Sequence, residues 1–74
     1  DEAEALFRRL IALTPNDAKA NNFLAYALLH LGRSDEAERY VRDAFRLAPD
    51  DPEVLTNLGL ILQANLKLDE AVAA

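Results

Sequence analysis

The chain has 74 residues and a mass of 8.2 kDa, enough for one small domain or a piece of a larger protein. It has no Cys and a single His, so the composition excludes disulfides and Cys-based zinc sites and indicates no cofactor. The net charge of −5 has the wrong sign for nucleic-acid binding, and no apolar run is long enough to span a membrane. The 14 Ala and 14 Leu residues favour helices.

The first two helices are delimited by Pro, Asp and Gly. The first is predicted to end near residue 13, because Pro15 disfavours the helical conformation in the residue before it. Asp17 is a good N-cap for a second helix over residues 18–31. Gly32 can adopt the left-handed conformation that ends such a helix.

Three further helices are predicted after Gly32. Ser34 is expected to cap a third helix that ends near residue 47. Asp51 is expected to cap a fourth helix that ends near Asn65, which could itself adopt the left-handed conformation. A fifth helix is expected to open at residues 69–71. The chain is therefore expected to be all-α, with about five helices.

The sequence also repeats with a period of 34 residues. This offset produces 13 identities in 40 aligned pairs without a gap, and the segment Asp-Glu-Ala-Glu at residues 1–4 recurs at residues 35–38. Two Ala- and Leu-rich helices would share some residues by chance. They would not also share Pro15 with Pro49 and Asp17 with Asp51. The period therefore predicts a repeated pair of helices.

A 34-residue helix–turn–helix unit with this pattern resembles the tetratricopeptide repeat. The residues that carry the resemblance are Leu24-Ala25 and Leu58-Gly59, then Leu28 and Leu62, the small residues Ala3, Ala37, Ala71 and Ala44, the apolar Phe7 and Val41, and the closing Pro15 and Pro49. The resemblance implies antiparallel helix–turn–helix repeats stacked as an α-solenoid. It divides the chain into the second helix of a partial repeat at 1–17, a complete repeat at 18–51 and a partial repeat at 52–74.

The small residues have a predicted packing role. Ala25 and Ala37, or Gly59 and Ala71, lack bulk where the two helices of a unit would cross. The layer between units is expected to be filled by Leu24, Leu28, Leu31, Val41, Ala44, Phe45 and Leu47. We expect the chain to be part of a longer protein, with Leu58 and Leu62 lacking a partner helix, and such an apolar end favours self-association.

Catalysis is not predicted. Ser34 and His30 are the obvious candidates for nucleophile and base. Ser34 is explained by a helix-capping role, and His30 by its place near a helix C-terminus, where the helix dipole favours a cation. The acidic side chains stand at helix starts or four residues before an Arg. Those before an Arg are expected to form exposed ion pairs, namely Glu4–Arg8, Asp35–Arg39 and Glu38–Arg42.

In the family that the chain resembles, the first helices of successive repeats line a concave groove for a peptide or helix of a partner protein. The positions that the resemblance places in the groove are Lys19, Asn22, Phe23, Tyr26, Leu29 and His30 from the second helix, and Glu53, Thr56, Asn57, Leu60 and Gln63 from the fourth. Phe23 and Tyr26 would supply apolar contact area, and the amides of Asn22 and Asn57 would bond to an extended backbone.

Two classes of function follow. The first is a non-catalytic module that binds a protein or peptide partner. The net negative charge of the chain is compatible with a basic segment in that partner. A receptor for the carboxylate tail of heat-shock chaperones is disfavoured, because Asn57 matches that clamp while Tyr26 and Asn22 stand where basic and amide residues should accompany it. The second class is a structural element that forms homo-oligomers through its open repeat ends.

Overall fold

The computed structural model describes the backbone of residues 2–73 and the side chains of residues 2–68. Over this part of the chain the backbone forms four helices, α1 (Glu2–Leu13), α2 (Ala18–His30), α3 (Ser34–Leu47) and α4 (Pro52–Ala73). Helix α2 packs against the other three, and α3 also packs against α4. The predicted all-α helical repeat solenoid is confirmed. No helix in the described range is long and apolar enough to cross a membrane.

The predicted Asp caps are present at the starts of both first helices of the repeats. The Asp17 carboxylate accepts hydrogen bonds from the backbone N–H groups of Lys19 at 2.9 Å and Ala20 at 3.3 Å. The Asp51 carboxylate accepts one from the backbone N–H of Glu53 at 2.9 Å. Both carboxylates satisfy amides that have no partner within the helix, which sets where α2 and α4 begin.

Gly32 ends α2 as the sequence predicts. Its φ is 77°, in the left-handed region. Its N–H donates to the carbonyl of Leu29 at 3.1 Å, and the N–H of Arg33 donates to the carbonyl of Leu28 at 2.9 Å. This pair of bonds is a Schellman motif, which satisfies the last carbonyls of α2 and turns the chain back into α3.

The predicted cap at Ser34 is wrong. Ser34 is the first residue of α3 and is buried, and the N-cap is Arg33, whose side chain makes no capping bond. The reason is the short turn at Gly32, which brings the chain into helical conformation one residue earlier. The carbonyl of Arg33 already accepts a hydrogen bond from the N–H of Ala37 at 3.0 Å.

The predicted break near Asn65 is also wrong, because α4 continues without interruption through the segment expected to form a fifth helix. Leu66 occupies the position that Gly32 has in the preceding repeat, and residues 60–73 contain neither Gly nor Pro. A Leu in the left-handed conformation would cost roughly 1–2 kcal/mol. The Asn65 amide instead donates to the Glu38 carboxylate at 2.7 Å and to the carbonyl of Ser34 at 3.1 Å, tying α4 to the start of α3.

The core lies where α2, α3 and α4 meet. Its fully buried members are Leu24, Ala25, Leu28, Ala37, Val41 and Ile61, with Phe7, Ile11, Leu29, Tyr40 and Leu58 packed around them. The expected close packing at Ala25 and Ala37 agrees with their complete burial.

Three of the expected core positions are wrong. Leu31 and Phe45 are 41% and 39% exposed, and Gly59 is exposed with nothing within 4 Å of an added Cβ. The side chain of Ala71, the expected partner of Gly59, lies outside the described residues. The cause at Gly59 is the continuous α4, which does not fold back to form the expected helix pair.

Candidate binding groove

A cavity of about 310 Å³ lies between α2 and α4. It is lined by Asn22, Phe23, Tyr26, Glu53, Thr56 and Asn57. All six are among the residues assigned to the groove from the sequence. They come together because spacings of three and four residues keep side chains on one helical face, and α2 and α4 present these faces to the same side.

The amides of Asn22 and Asn57 bond to each other across this cavity. Asn57 Nδ2 donates to Asn22 Oδ1 at 2.9 Å, and Asn22 is only 4% exposed. The sequence-based prediction that both amides bond to a peptide backbone takes no account of this bond, which uses one donor and one acceptor inside the protein. The pair therefore links α2 to α4 at the base of the cavity.

An apolar surface continues from this cavity towards α1. A second cavity of about 580 Å³ is lined by Ala3, Phe7, Phe23, Tyr26, Ala27, His30 and Leu31. The rings of Phe7 and Phe23 have centroids 5.8 Å apart, and those of Tyr26 and His30 meet edge to face at 4.3 Å. Phe23 and Tyr26 line both cavities, so the two form one continuous surface. Sequence reasoning missed Phe7, because it assigned the groove to the first helices alone.

The other predicted groove residues lie elsewhere. Leu29 packs against the core and lines a separate cavity with Gly32 and Lys67. Lys19, Leu60 and Gln63 are exposed on α2 and α4, outside the 310 Å³ cavity.

The charged side chains gather away from the groove, in a cluster that joins α1 to the start of α3. Arg8 bonds to Glu4 at 2.8 Å, to Glu36 at 3.1 Å and to the Tyr40 hydroxyl at 2.9 Å. Arg33 bonds to Glu36 at 2.8 Å and to Glu4 at 2.6 Å. Of this cluster the sequence predicted only the local Glu4–Arg8 pair. The contacts of Arg8 with Glu36 and of Arg33 with Glu4 join residues that are far apart in the sequence, and the local Arg33–Glu36 pair was not predicted.

These hydrogen bonds perturb the acidic groups. The Arg8 guanidinium lowers the pKa of the Glu4 carboxyl, and Arg33 lowers that of Glu36. On α3, the predicted Glu38–Arg42 pair is present at 2.9 Å and lowers the pKa of Glu38.

Two other sequence-based expectations concern the charged residues. Among the side chains of residues 2–68, no ion pair joins Asp35 to Arg39, whose guanidinium instead lies 5.7 Å from the centre of the Tyr40 ring. The same range holds no cluster of three or more His, Cys, Asp or Glu residues arranged for a metal ion.

Comparison with known proteins agrees with the geometry. A family model described as "Tetratricopeptide repeat" matches residues 1–66. The human tetratricopeptide repeat protein 7B is 38% identical over 64 residues, covering 86% of this chain and 8% of that protein. The human aspartyl/asparaginyl beta-hydroxylase is 31% identical over 65 residues, covering 88% of this chain and 9% of that protein. The chain thus spans less than a tenth of either relative, and no solved structure matches it. The 34-residue period, the helix pairs and the family match together show that the chain belongs to the tetratricopeptide repeat family.

Proposed function

We propose that the chain is a non-catalytic module that binds an extended peptide of a partner protein in the groove between α2 and α4. Tetratricopeptide repeats generally mediate protein–protein interactions and are typically non-catalytic. The observation that carries the proposal is the 310 Å³ cavity, whose lining comes from the first helices of two neighbouring repeats.

The lining of the cavity suits an apolar side chain of the peptide. Phe23 and Tyr26 are 45% and 47% exposed, so their rings offer apolar area that a ligand can cover without unfolding the protein. The volume is at the lower end of the roughly 300–1,000 Å³ typical of small-molecule sites, which suits one or two side chains. Thr56 and Asn57 also line the cavity, and their side-chain oxygens can accept hydrogen bonds from the peptide backbone, since the bond between Asn57 and Asn22 uses only the Nδ2 group of Asn57.

Electrostatics favours a basic residue in the same peptide. Glu53 is the charged residue among the six that line the cavity, and the chain carries a net charge of −5. A Lys or Arg one or two positions from the inserted apolar side chain would reach the Glu53 carboxylate. We therefore expect peptides that pair a large apolar residue with a basic one.

Selection of binders from a random peptide display library tests the proposal. The selected peptides are synthesised, and their Kd is measured by fluorescence anisotropy. Tyr26→Ala should weaken binding by about tenfold or more, as expected for an interface aromatic. Phe45→Ala is the matched control, because Phe45 is a 39% exposed aromatic on α3, away from the groove. Circular dichroism verifies that both variants stay folded. Equal Kd values for Tyr26→Ala and the wild type would refute the proposal.

Self-association through the ends of the repeat array is a second candidate function. It is favoured by one specific observation, the exposure of Leu55, Leu62 and Leu66 on α4. An assembly element should be sensitive to changes at these leucines and insensitive to Tyr26→Ala.

A further inference from the structure

The side of the 310 Å³ cavity formed by α4 presents hydrogen-bond acceptors. Three of the six lining residues belong to α4, and Glu53, Thr56 and Asn57 are called the acceptor wall below. Thr56 Oγ1 donates its proton to the backbone carbonyl of Pro52 at 2.8 Å, so its lone pairs remain for a ligand. Asn57 turns its Nδ2 group to Asn22 Oδ1 at 2.9 Å, which leaves Oδ1 to accept from a ligand. The Glu53 carboxylate can only accept, so a ligand of this wall has to bring the donors.

The carboxylate of Glu53 also lacks a cation. It is exposed, and among the side chains of residues 2–68 no Lys, Arg or His forms an ion pair with it. Lys19, the lysine of α2, is exposed and lies outside the cavity. By contrast, Glu4 and Glu36 each bind an arginine within the chain. An acidic group without a basic neighbour favours a positively charged group on the ligand.

The opposite side of the cavity is aromatic. Phe23 and Tyr26 on α2 are 45% and 47% exposed, and both line the same cavity as the acceptor wall. A guanidinium stacks on the face of such a ring more often than an ammonium does, and it is more weakly hydrated. It also carries five N–H donors in one plane and no acceptor, whereas lysine has its three donors on a single strongly hydrated atom. An arginine side chain therefore fits both sides of the cavity at once.

The chain holds one of its own arginines with the same set of groups. The Arg8 guanidinium lies 5.6 Å from the centre of the Tyr40 ring and donates to the Tyr40 hydroxyl at 2.9 Å. It also donates to the carboxylates of Glu4 at 2.8 Å and Glu36 at 3.1 Å. An aromatic ring and carboxylates together bind a guanidinium here, and this is the combination that the cavity offers to a ligand.

We propose that the basic residue of the bound peptide is an arginine, which the cavity distinguishes from lysine. The guanidinium lies between the aromatic rings of α2 and the acceptor wall, and it donates to the Glu53 carboxylate and to Thr56 Oγ1 or Asn57 Oδ1. These positions are three and four residues apart on one helix, so their side chains are neighbours on its surface. The apolar side chain of the peptide covers the remaining ring surface. The inference rests on the proposed peptide binding and adds the identity of its charged residue.

The peptides selected from the display library provide the probe. Each selected peptide is synthesised with Arg, Lys or citrulline at its basic position, and its Kd is measured by fluorescence anisotropy. Citrulline keeps the planar shape of arginine without its charge. Lys should weaken binding by about fivefold, as expected for the loss of a hydrogen bond, and citrulline by about tenfold or more, since hydrogen bonds to charged groups are stronger.

Variants of the acceptor wall test the geometry. Glu53→Gln should weaken binding of the Arg peptide by about tenfold and bring the Kd values of the Arg and citrulline forms closer together. Thr56→Val removes an acceptor at nearly constant shape and should lower the ratio of the Lys Kd to the Arg Kd, which a purely structural effect would leave unchanged. Asp35→Asn is the matched control, because it removes the same charge at an exposed position on α3. It should bind like the wild type, and circular dichroism verifies that all variants fold.

Three results would overturn the inference while peptide binding in the groove stands. The first is a set of selected peptides that need Tyr26 for binding but contain no basic residue. The second is equal Kd values for the Arg and Lys forms. The third is an equal loss of affinity in Glu53→Gln and Asp35→Asn, which would assign the effect to the net charge of the chain. If Tyr26→Ala and the wild type bind alike, the proposed function itself fails, and the inference fails with it.

Discussion

Leu28 and Leu62 allow one substitution to be compared in two environments. They occupy the same position in successive repeats, and both lie in helices. Leu28 is 0% exposed in the core, and Leu62 is 37% exposed on α4. We expect Leu28→Ala to lower the free energy of unfolding much more than Leu62→Ala, although the same atoms are removed.

The burial sets the magnitudes. A fully buried Leu→Ala substitution costs about 2–5 kcal/mol, since the loss of apolar transfer is joined by the cost of a cavity. We expect about 3 kcal/mol at Leu28, a large part of the roughly 4–11 kcal/mol available to a chain of this size. At Leu62 no enclosed cavity forms. The three removed carbons were only about two-thirds withdrawn from water, so at roughly 0.8 kcal/mol for each buried carbon the loss is about 1.5 kcal/mol.

Urea unfolding followed by circular dichroism measures both changes. The experiment is run at micromolar protein concentration, so that association does not contribute to the stability of the monomer. Similar m-values for the wild type and both variants would show that the unfolded states are comparable. Equal losses for Leu28→Ala and Leu62→Ala at low concentration would refute the reasoning, because the surroundings of Leu62 would then be as well packed as the core.

Two further predictions concern the glycines and the ion pairs. Gly32→Ala should destabilise the chain by roughly 1–2 kcal/mol because φ is 77° there, whereas Gly59→Ala in the exposed interior of α4 should stabilise it by about 0.5–1 kcal/mol. Urea unfolding measures both, and the same sign for the two changes would contradict the assignment. Since the pKa values of Glu4, Glu36 and Glu38 are lowered by folding, their contribution to stability is complete above the ordinary glutamate pKa of 4.5. It is lost as the pH falls through the lower pKa values of the folded state. Thermal unfolding from pH 7 to pH 3 should show this loss, and the double variant Glu4→Gln, Glu36→Gln should flatten it; an unchanged pH profile would exclude these pairs as the cause.

The fold was predictable where local residues decide it. Asp17, Asp51 and Gly32 act on the backbone within a few residues of themselves, so their roles could be inferred without tertiary information. The predicted break after Asn65 depended on a different kind of argument, the recurrence of Asp-Glu-Ala at residues 69–71. That argument failed because a turn needs a residue that tolerates a left-handed backbone, and Leu66 does not supply one.

The groove was predictable as a set of positions but not as a set of contacts. Helical spacing was enough to bring Tyr26 and Thr56 to one cavity. Spacing could not show that Asn57 donates to Asn22, because this bond depends on the distance between two helices. For the same reason the contact of Arg8 with Glu36 was missed, while its contact with Glu4, one turn away on the same helix, was predicted.

The two proposed interactions use different sides of α4, and this has a consequence for how they combine. At 100° per residue, Thr56 in the groove and the exposed Leu62 point about 120° apart around the helix axis, so a partner at Leu62 leaves the groove open. Peptide affinity that does not change with protein concentration is the pattern expected if both proposals hold, because neither contact then covers the other.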